Sequence, residues 1–328
     1  MLMRKSILNV IRGCILLLAT VLMISCGKGD NALEEIIKGG SSGDIPEVIA
    51  KYEFSVTDLA ETFDITEDIT SIELTNDEGS VIATAELSEG KYTVDKSKLA
   101  SVTAVWVKAI QGEGGDAKAY IQRLTAADLT TLEAEKKLKM ATSGNVIGAD
   151  GKFYLNKTAA ETATTTAEAM IAYIGKALAG GDGDAICKHG LAIAMENANS
   201  NAECSWYDAT STHIPNWITA HPISFGEWRL PSADDWKYMF EGVGADAYSA
   251  TLTDGMDYDY GDFCIKLKDA GATGTGIDDS NVSGGCWSST VHIYSESDDY
   301  AWKYFFNDKE FYWEGKGAAQ YARACIAF

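Results

Sequence analysis

The hydrophobic pattern of the N-terminal half alternates over short distances. From Tyr52 to about Ala109, runs rich in Val, Ile, Thr and Tyr are separated by turn sequences such as Asn76–Gly79. Turn signals that recur about every ten residues are typical of an antiparallel β-sandwich. The pattern therefore predicts an all-β immunoglobulin-like sandwich, together with its connector, over residues 50–143.

The C-terminal half shows a different pattern. Two apolar runs, residues 167–174 and 190–195, predict buried strands. After Pro231 the apolar residues recur at the spacing i, i+3 and i+4, which predicts a short amphipathic helix. Seven of the eight tryptophans lie at or beyond Trp206, so we expect a core rich in aromatic side chains. These features predict an α+β domain over residues 144–328.

The charge balance argues against two kinds of partner. The chain carries 27 Lys and Arg against 48 Asp and Glu, so its formal net charge at pH 7 is −21. A negative field of this size repels the phosphates of nucleic acids and the surface of an anionic membrane. With 46% apolar and 23% charged residues, the composition is that of a globular protein rather than a disordered one. We therefore predict no nucleic-acid partner.

The first 25 residues predict a signal peptide. Three basic residues precede the apolar run from Gly13 to Ile24, and this run of twelve residues is too short to span a bilayer. The run leads into Ser25-Cys26, which resembles the lipobox of bacterial lipoproteins. That resemblance implies that Cys26 is acylated and anchors the mature chain in a lipid bilayer. The alternative is a plain secretory signal with an incidental cysteine.

Residues 26–49 mix Gly, Ser and charged residues, which is typical of a flexible tether between an anchor and a folded domain. Beyond this tether the chain has an odd number of cysteines, and none forms a C-x-x-C pair or a Cys/His cluster with zinc spacing. They are Cys187, Cys204, Cys264, Cys286 and Cys325. A local bridge between the first two is one interpretation, and the disulfide pairing stays open.

Four landmarks of the C-terminal half occur in one order. They are Arg229-Leu230-Pro231-Ser232 with Asp235-Trp236, then Cys286-Trp287-Ser288-Ser289-Thr290, then Ala301-Trp302, and finally Arg323-Ala324-Cys325-Ile326-Ala327-Phe328. Together they resemble a C-type-lectin-like domain of the Lcl C-terminal or Fibrobacter succinogenes major paralogous type, which is frequent in surface lipoproteins of Bacteroidota. The resemblance covers about residues 144–328. It implies an α+β fold whose structural core contains Trp236, Trp287 and Trp302.

In such a fold the long loop, here between Glu241 and Gly285, is the surface that binds calcium, sugars or proteins. The loop is rich in carboxylates, which suit calcium, and in tyrosines, whose flat faces suit a sugar ring or a protein partner. The predicted ligand-binding residues are Tyr248, Tyr258, Tyr260, Asp257, Asp259 and Asp262. The calcium motifs of sugar-binding lectins are absent and the aspartates do not complete an EF-hand loop. No cofactor is therefore predicted, with calcium kept as an alternative.

These features favour a non-catalytic binding protein. We expect an outer-membrane lipoprotein at the cell surface, with the periplasmic face as the alternative. Its sandwich would be a spacer, and its lectin-like head would bind a glycan or a protein. A hypothesis of another class is a structural or tip subunit of a surface appendage, in which an exposed strand edge of the sandwich accepts a partner strand.

An enzyme is the less favoured hypothesis. A related fold hosts formylglycine-generating enzymes, which need a close pair of C-terminal cysteines. Here Cys286 and Cys325 lie 39 residues apart. The metalloprotease, P-loop and dinucleotide-binding motifs are absent as well. We therefore predict no catalytic residues.

Overall fold

The computed structural model describes residues 50–62, 69–112, 117–176, 187–244, 256–257, 261–274, 285–294, 297–305 and 310–328. The chain divides into two compact units, Met1–Val48 and Ile49–Phe328, and every described residue belongs to the second. The predicted signal peptide, Cys26 and the tether lie outside the described residues. Within the described part of the chain, no helix is long and apolar enough to cross a membrane.

The fold is mixed α+β and is dominated by strands. The first seven strands are β1 (Lys51–Asp58), β2 (Ile69–Thr75), β3 (Val81–Ser88), β4 (Lys91–Asp95), β5 (Ala104–Gln111), β6 (Lys118–Thr125) and β7 (Lys137–Met140). They form one sheet in the order β6-β5-β2-β3-β4-β1-β7. Every pair is antiparallel except β1 with β7, which is parallel.

Strand β3 joins two halves of this sheet. Its first residues pair with β2 and its last residues pair with β4. Side chains from both halves, including Val56, Leu74, Val107 and Leu138, belong to one buried apolar cluster. The main chain of Ile121 in β6 exchanges two hydrogen bonds of 2.8 Å with Ala141, directly after β7. The two ends of the sheet therefore meet.

The remaining strands form two further sheets. A six-stranded sheet has the order β12-β17-β11-β10-β8-β9, and a four-stranded sheet has the order β13-β16-β15-β14. The strands are β8 (Val146–Gly148), β9 (Phe153–Tyr154), β10 (Ala167–Ile174), β11 (Gly190–Ala194), β12 (Glu227–Arg229), β13 (Met256–Asp257), β14 (Gly285–Tyr294), β15 (Ser297–Phe305), β16 (Glu310–Gly315) and β17 (Cys325–Ala327).

Seven short helices connect these strands. They are α1 (Lys96–Leu99), α2 (Ala126–Glu135), α3 (Lys157–Thr162), α4 (Trp206–Asp208), α5 (Ile214–Ala220), α6 (Ala233–Gly242) and α7 (Gly261–Asp269). A π-helical segment, Ala209–His213, joins α4 to α5. The count refers to the described residues alone.

The six-stranded sheet is buried on both faces. Met170 and Ile193 contribute to one apolar cluster, whereas Ile171 and Ala192 contribute to another. Because neighbouring residues of a strand point to opposite faces, a strand between two cores needs an uninterrupted apolar run. This explains why β10 and β11 lack the polar alternation of the N-terminal strands.

Helix α6 is the amphipathic helix predicted after Pro231. Its N-cap Ser232 accepts a hydrogen bond from the main chain of Asp235, and the Asp235 carboxylate accepts one from Ser232 N in return. Such a capping box satisfies two amide groups that a helix start leaves unpaired. Trp236 and Phe240 are fully buried on the face that contacts β10 and β14.

The indole of Trp106, in β5, packs into the C-terminal part of the fold. Its ring stacks on His189 with centroids 4.4 Å apart and on Phe328 at 5.4 Å. The indole Nε1 donates a 2.8 Å hydrogen bond to Asp77, which also accepts from Arg123 at 3.3 Å. Burial raises the pKa of Asp77, but these two donors outweigh burial and lower it overall. Trp106 therefore joins the seven-stranded sheet to the last strands of the chain.

A close approach of α6 to β10 gives the first prediction. A Cβ added to Gly242 would lie 2.2 Å from the carbonyl oxygen of Ala172. We expect Gly242→Ala to lower the free energy of unfolding by about 1–3 kcal/mol, since the helix must shift away from the strand. Chemical denaturation measures this change. Gly317→Ala, where the added Cβ meets nothing within 4 Å, is the control and should change stability by no more than about 0.5 kcal/mol. Equal effects would contradict the close contact.

His189 gives a pH-dependent prediction. Burial lowers its pKa from 6.5 to about 4, so the unfolded chain binds a proton at a higher pH than the folded chain does. Stability should therefore fall as the pH drops from about 6.5 to about 4, by about 3 kcal/mol from this residue alone. His189→Phe keeps a ring against Trp106 but cannot titrate, so its unfolding free energy should lose this part of the pH dependence. His213→Gln is the control and should retain it. If the two variants behave alike, His189 is not the residue responsible.

Candidate binding surface

The structure describes only part of the predicted ligand-binding loop. Tyr248, Tyr258, Tyr260 and Asp259 lie outside the described residues. For the other two predicted residues the backbone alone is described: Asp257 ends β13, and Asp262 lies in the first turn of α7. Strand β13 pairs antiparallel with β16, with Asp257 opposite Glu310. The predicted loop is thus attached to one edge of the four-stranded sheet.

The three tryptophans that the resemblance assigned to the core are buried. Trp236 and Trp287 have no exposed surface, and Trp302 is 6% exposed. The Trp287 indole donates a 2.9 Å hydrogen bond to the main-chain oxygen of Cys204. The Trp236 ring packs against Phe240 and Tyr304, with centroids 5.8 and 5.7 Å away. The first two rings are therefore unavailable to a ligand in this conformation.

A second set of aromatic side chains lies near the surface of the four-stranded sheet. The register pairs His292 of β14 with Tyr300 of β15, and Trp302 of β15 with Trp313 of β16. Because side chains directly opposite each other share a face of a sheet, three strands contribute to one group of rings. We call His292, Tyr300, Trp302 and Trp313 the aromatic surface. Trp302 is its buried floor, and the other three side chains are half-buried.

The rings of the aromatic surface contact one another in defined geometries. His292 stacks on Trp313 with centroids 5.1 Å apart and an interplanar angle of 19°. Tyr300 meets the Trp313 ring edge-on at 5.0 Å, and His292 meets Trp302 edge-on at 5.0 Å. Such pairs stabilise each other beyond their burial. His292 of β14 and Tyr300 of β15 therefore fix the position of the Trp313 ring.

The inner end of the same sheet face is anchored in the core. Tyr304 and Phe311 are opposite each other and fully buried, and the Tyr304 ring lies 4.6 Å from Phe240 of α6. Alternation along β15 puts Tyr300 and Tyr304 on the same face. One face of the sheet therefore packs the core at one end and carries partly exposed rings at the other.

Charged groups lie on the opposite face of β15 and β16, because Lys303 and Glu314 directly follow Trp302 and Trp313 along their strands. Lys303 is 5% exposed, forms an ion pair with Glu314, and has its Nζ 4.2 Å from the centre of the Phe305 ring. Gln320 donates a 3.1 Å hydrogen bond to the same carboxylate. A depression of about 390 Å³ is lined by Trp313, Lys303 and Glu314, together with neighbouring aromatic residues. Its charged side chains therefore face away from the rings of the aromatic surface.

A cavity of about 370 Å³ lies at the junction around Trp106 and is lined by charges of both signs. Two of those charged residues, Arg229 and Asp77, have partners within the fold. Arg229 donates hydrogen bonds of 3.0 and 2.6 Å to Asp235, and Asp77 accepts from Trp106 and Arg123. Because these groups already hold elements together, the aromatic surface is the stronger candidate for a ligand site.

No disulfide joins any two of the five described cysteines, so the local bridge considered between Cys187 and Cys204 is not formed. Burial raises the pKa of Cys204 to about 11 and that of Cys286 to about 12. A protonated thiol is a poor nucleophile. Among the described residues, no group of three or more His, Cys, Asp or Glu could hold a metal ion. Calcium in the loop stays a prediction, because most of its aspartates lie outside those residues.

The aromatic surface is not among the predicted ligand-binding residues. Aromatic residues alternate along β15 at Tyr300, Trp302 and Tyr304, and of these the sequence predicts a role for Trp302 alone, in the core. The rings come from three strands, and their meeting depends on the register between them. No protein-family model matches the chain, and no curated protein matches it. The lectin-like interpretation and the function therefore rest on the residues and geometry of this chain.

Proposed function

We propose that this protein is a lipid-anchored envelope protein that binds glycan through the aromatic surface of its C-terminal half. The observation that carries the proposal is the half-buried Trp313 ring, fixed by its contacts with His292 and Tyr300. A ring fixed before binding loses little freedom when a ligand stacks on it. Aromatic faces flanked by polar groups suit a sugar ring, which has apolar C–H faces and hydroxyl edges.

The attached loop supports the same proposal. Pairing of β13 with β16 joins the segment between Glu241 and Gly285 to this sheet. That segment contains the tyrosines and aspartates that the sequence predicts as ligand-binding residues, which offer rings and hydroxyl acceptors to a sugar. A protein ligand remains the other interpretation, since Trp and Tyr are also enriched at protein interfaces.

We propose a C-type-lectin-like fold for residues 144–328 and an immunoglobulin-like sandwich for residues 50–143. The first is supported by a six-stranded and a four-stranded sheet that share a core with α6. The second is supported by seven mostly antiparallel strands around one apolar cluster. The hydrogen bonds between Ile121 and Ala141 link the two ends of the sandwich sheet. This favours a spacer over an appendage subunit that accepts a partner strand, because the sheet ends are partly occupied.

The proposed location is the outer membrane, with the head at the cell surface. It is supported by the short apolar run that ends in Ser25-Cys26 and by the Gly- and Ser-containing stretch that follows. Acylation with two or more chains makes a stable anchor, whereas a single chain binds a membrane only marginally.

The glycan proposal is tested on an array of glycans and proteins with residues 27–328, with and without calcium. We expect glycan signals that Trp313→Ala weakens by about 3- to 10-fold, the range expected for loss of one aromatic contact. The control is Tyr207→Ala, which removes an aromatic side chain that is 51% exposed outside the aromatic surface. Unfolding midpoints of both variants report any loss of fold.

Three outcomes would contradict the glycan proposal. The first is binding to proteins alone, which would favour a protein receptor. The second is glycan binding that is unchanged in a folded Trp313→Ala protein, and the third is binding that Tyr207→Ala weakens equally.

The anchor is tested separately by labelling cells with a radioactive fatty acid. Wild-type protein should carry the label and Cys26→Ala should not, because the thiol is the proposed site of acylation. Cys187→Ala, which changes a cysteine buried in the fold, is the control and should label as the wild type does. Equal labelling of the Cys26→Ala and wild-type proteins would exclude the anchor.

A further inference from the structure

A lysine, a glutamate and a glutamine form a cluster outside the aromatic surface. Lys303 of β15 is 5% exposed, and Gln320, which follows β16, is 7% exposed. The Lys303 ammonium forms an ion pair with Oε2 of Glu314, and the Gln320 amide donates a 3.1 Å hydrogen bond to the same oxygen. One carboxylate oxygen therefore contacts a buried amine and a buried amide together.

The orientation of the Gln320 amide is fixed. Its Oε1 accepts a 2.7 Å hydrogen bond from the main-chain N–H of Gly285. A main-chain N–H can only donate, so this contact identifies the oxygen of the amide, and the donor to Glu314 is Nε2. A hydrogen bond to the carbonyl oxygen draws electron density from the amide carbon. The same N–H would stabilise an oxyanion if a nucleophile added to that carbon.

Gly285 also shows that the lysine and glutamine side chains are neighbours. A Cβ added to Gly285 would lie 3.2 Å from Oε1 of Gln320 and 3.5 Å from Cδ of Lys303. Since both atoms lie this close to one point, the Lys303 side chain passes beside the Gln320 amide. This proximity is independent of the two bonds to Glu314.

The main chains that carry these two side chains are held in place. Gln320 exchanges two main-chain hydrogen bonds, of 2.7 and 3.0 Å, with Cys204. Lys303 lies in a strand that is paired on both sides, opposite Trp287 of β14 and Tyr312 of β16. Groups that meet from fixed positions react far faster than the same groups free in solution.

We propose that Lys303 and Gln320 become joined by an amide bond between their side chains, in a reaction that the folded chain performs on itself. The amine of Lys303 is the nucleophile, Cδ of Gln320 is the electrophile, and Glu314 transfers the protons. This site of covalent modification does not depend on whether the aromatic surface binds a glycan.

The reaction balances without an oxidant or any other co-reactant. Glu314 takes a proton from the Lys303 ammonium, which leaves a neutral amine with a free electron pair. That pair forms the bond from Nζ to Cδ of Gln320, and the developing oxyanion accepts from the Gly285 N–H. Glu314 then gives its proton to Nε2, and the bond from Cδ to Nε2 breaks. Ammonia leaves, takes up the second proton that Nζ loses, and departs as ammonium.

Burial favours the amine over water as the nucleophile. Because Lys303 and Gln320 are almost inaccessible to solvent, water rarely reaches the amide carbon, whereas the amine is already beside it. The Glu314 side chain is 40% exposed. Ammonium can therefore leave along this carboxylate, which makes the bond permanent once the product has diffused away.

The test is peptide mapping of the full chain. Trypsin cuts after lysine and arginine, but not after a lysine whose amine is part of an amide bond. Unmodified protein yields the separate peptides 269–303 and 317–323. Modified protein should yield a branched peptide in which residues 269–309 are joined to residues 317–323, lighter than the two together by one molecule of ammonia. We expect this branched peptide from most wild-type molecules.

Three variants separate the roles of the groups. Lys303→Arg keeps a positive charge for Glu314 but removes the amine, so it should give no branched peptide. Glu314→Gln should slow formation of the bond after synthesis by about 100-fold or more, the range of general acid–base catalysis. Lys316→Arg changes another lysine of the fold, which is 7% exposed. It is the control and should give as much branched peptide as the wild type. Circular dichroism checks that each variant is folded.

Three results would overturn this proposal. The first is recovery of the separate peptides 269–303 and 317–323 from folded wild-type protein, since the three groups would then form an ion pair and a hydrogen bond and nothing more. The second is a branched peptide that contains residues 310–316 and is lighter by one molecule of water, because Glu314 would then be the electrophile. The third is bond formation at the wild-type rate in folded Glu314→Gln protein.

Discussion

The buried guanidinium of Arg323 is the contact on which the C-terminal half depends. The side chain has no exposed surface, and it donates to the main-chain oxygens of Ala194 and Thr273 as well as to Asn197. These acceptors belong to the end of β11, the segment after it and the segment after α7. A buried charge is tolerated only when its hydrogen-bonding capacity is used. Arg323 therefore holds two separate segments, residues 194–197 and the one that contains Thr273, against its own.

The packing around Arg323 also explains why position 274 is a glycine. Gly274 has φ +124°, and a Cβ there would lie 2.7 Å from Nη2 of Arg323 and 2.6 Å from Oδ1 of Asn201. No side chain fits between the guanidinium and the neighbouring amides. Any other residue at position 274 would force the Arg323 guanidinium or the Asn201 amide to move.

Short sequence patterns predict several helices and strands of the C-terminal half correctly. Ser232 and Asp235 predict the start of α6, and the apolar runs of β10 and β11 match strands buried on both faces. The aromatic surface could not be found this way, because His292 and Trp313 meet only through the register of strands on either side of β15. Nor does any local pattern indicate that Trp106 packs against His189 and Phe328, since the shift in composition near residue 144 suggests separate cores.

Strand β1 has a mechanical consequence for an anchored protein. It begins at Lys51; its residues 51–54 pair antiparallel with β4, and its residues 55–58 pair parallel with β7. In the orientation that we propose, flow acting on a glycan-bound head would pull the chain against its anchor, and the load would enter the fold at this strand. To leave the fold along its own axis, β1 must slide past β4 with its first half and past β7 with its second half, so the hydrogen bonds of both pairings resist together instead of opening one after another. The fold would then bear tension where its tether begins.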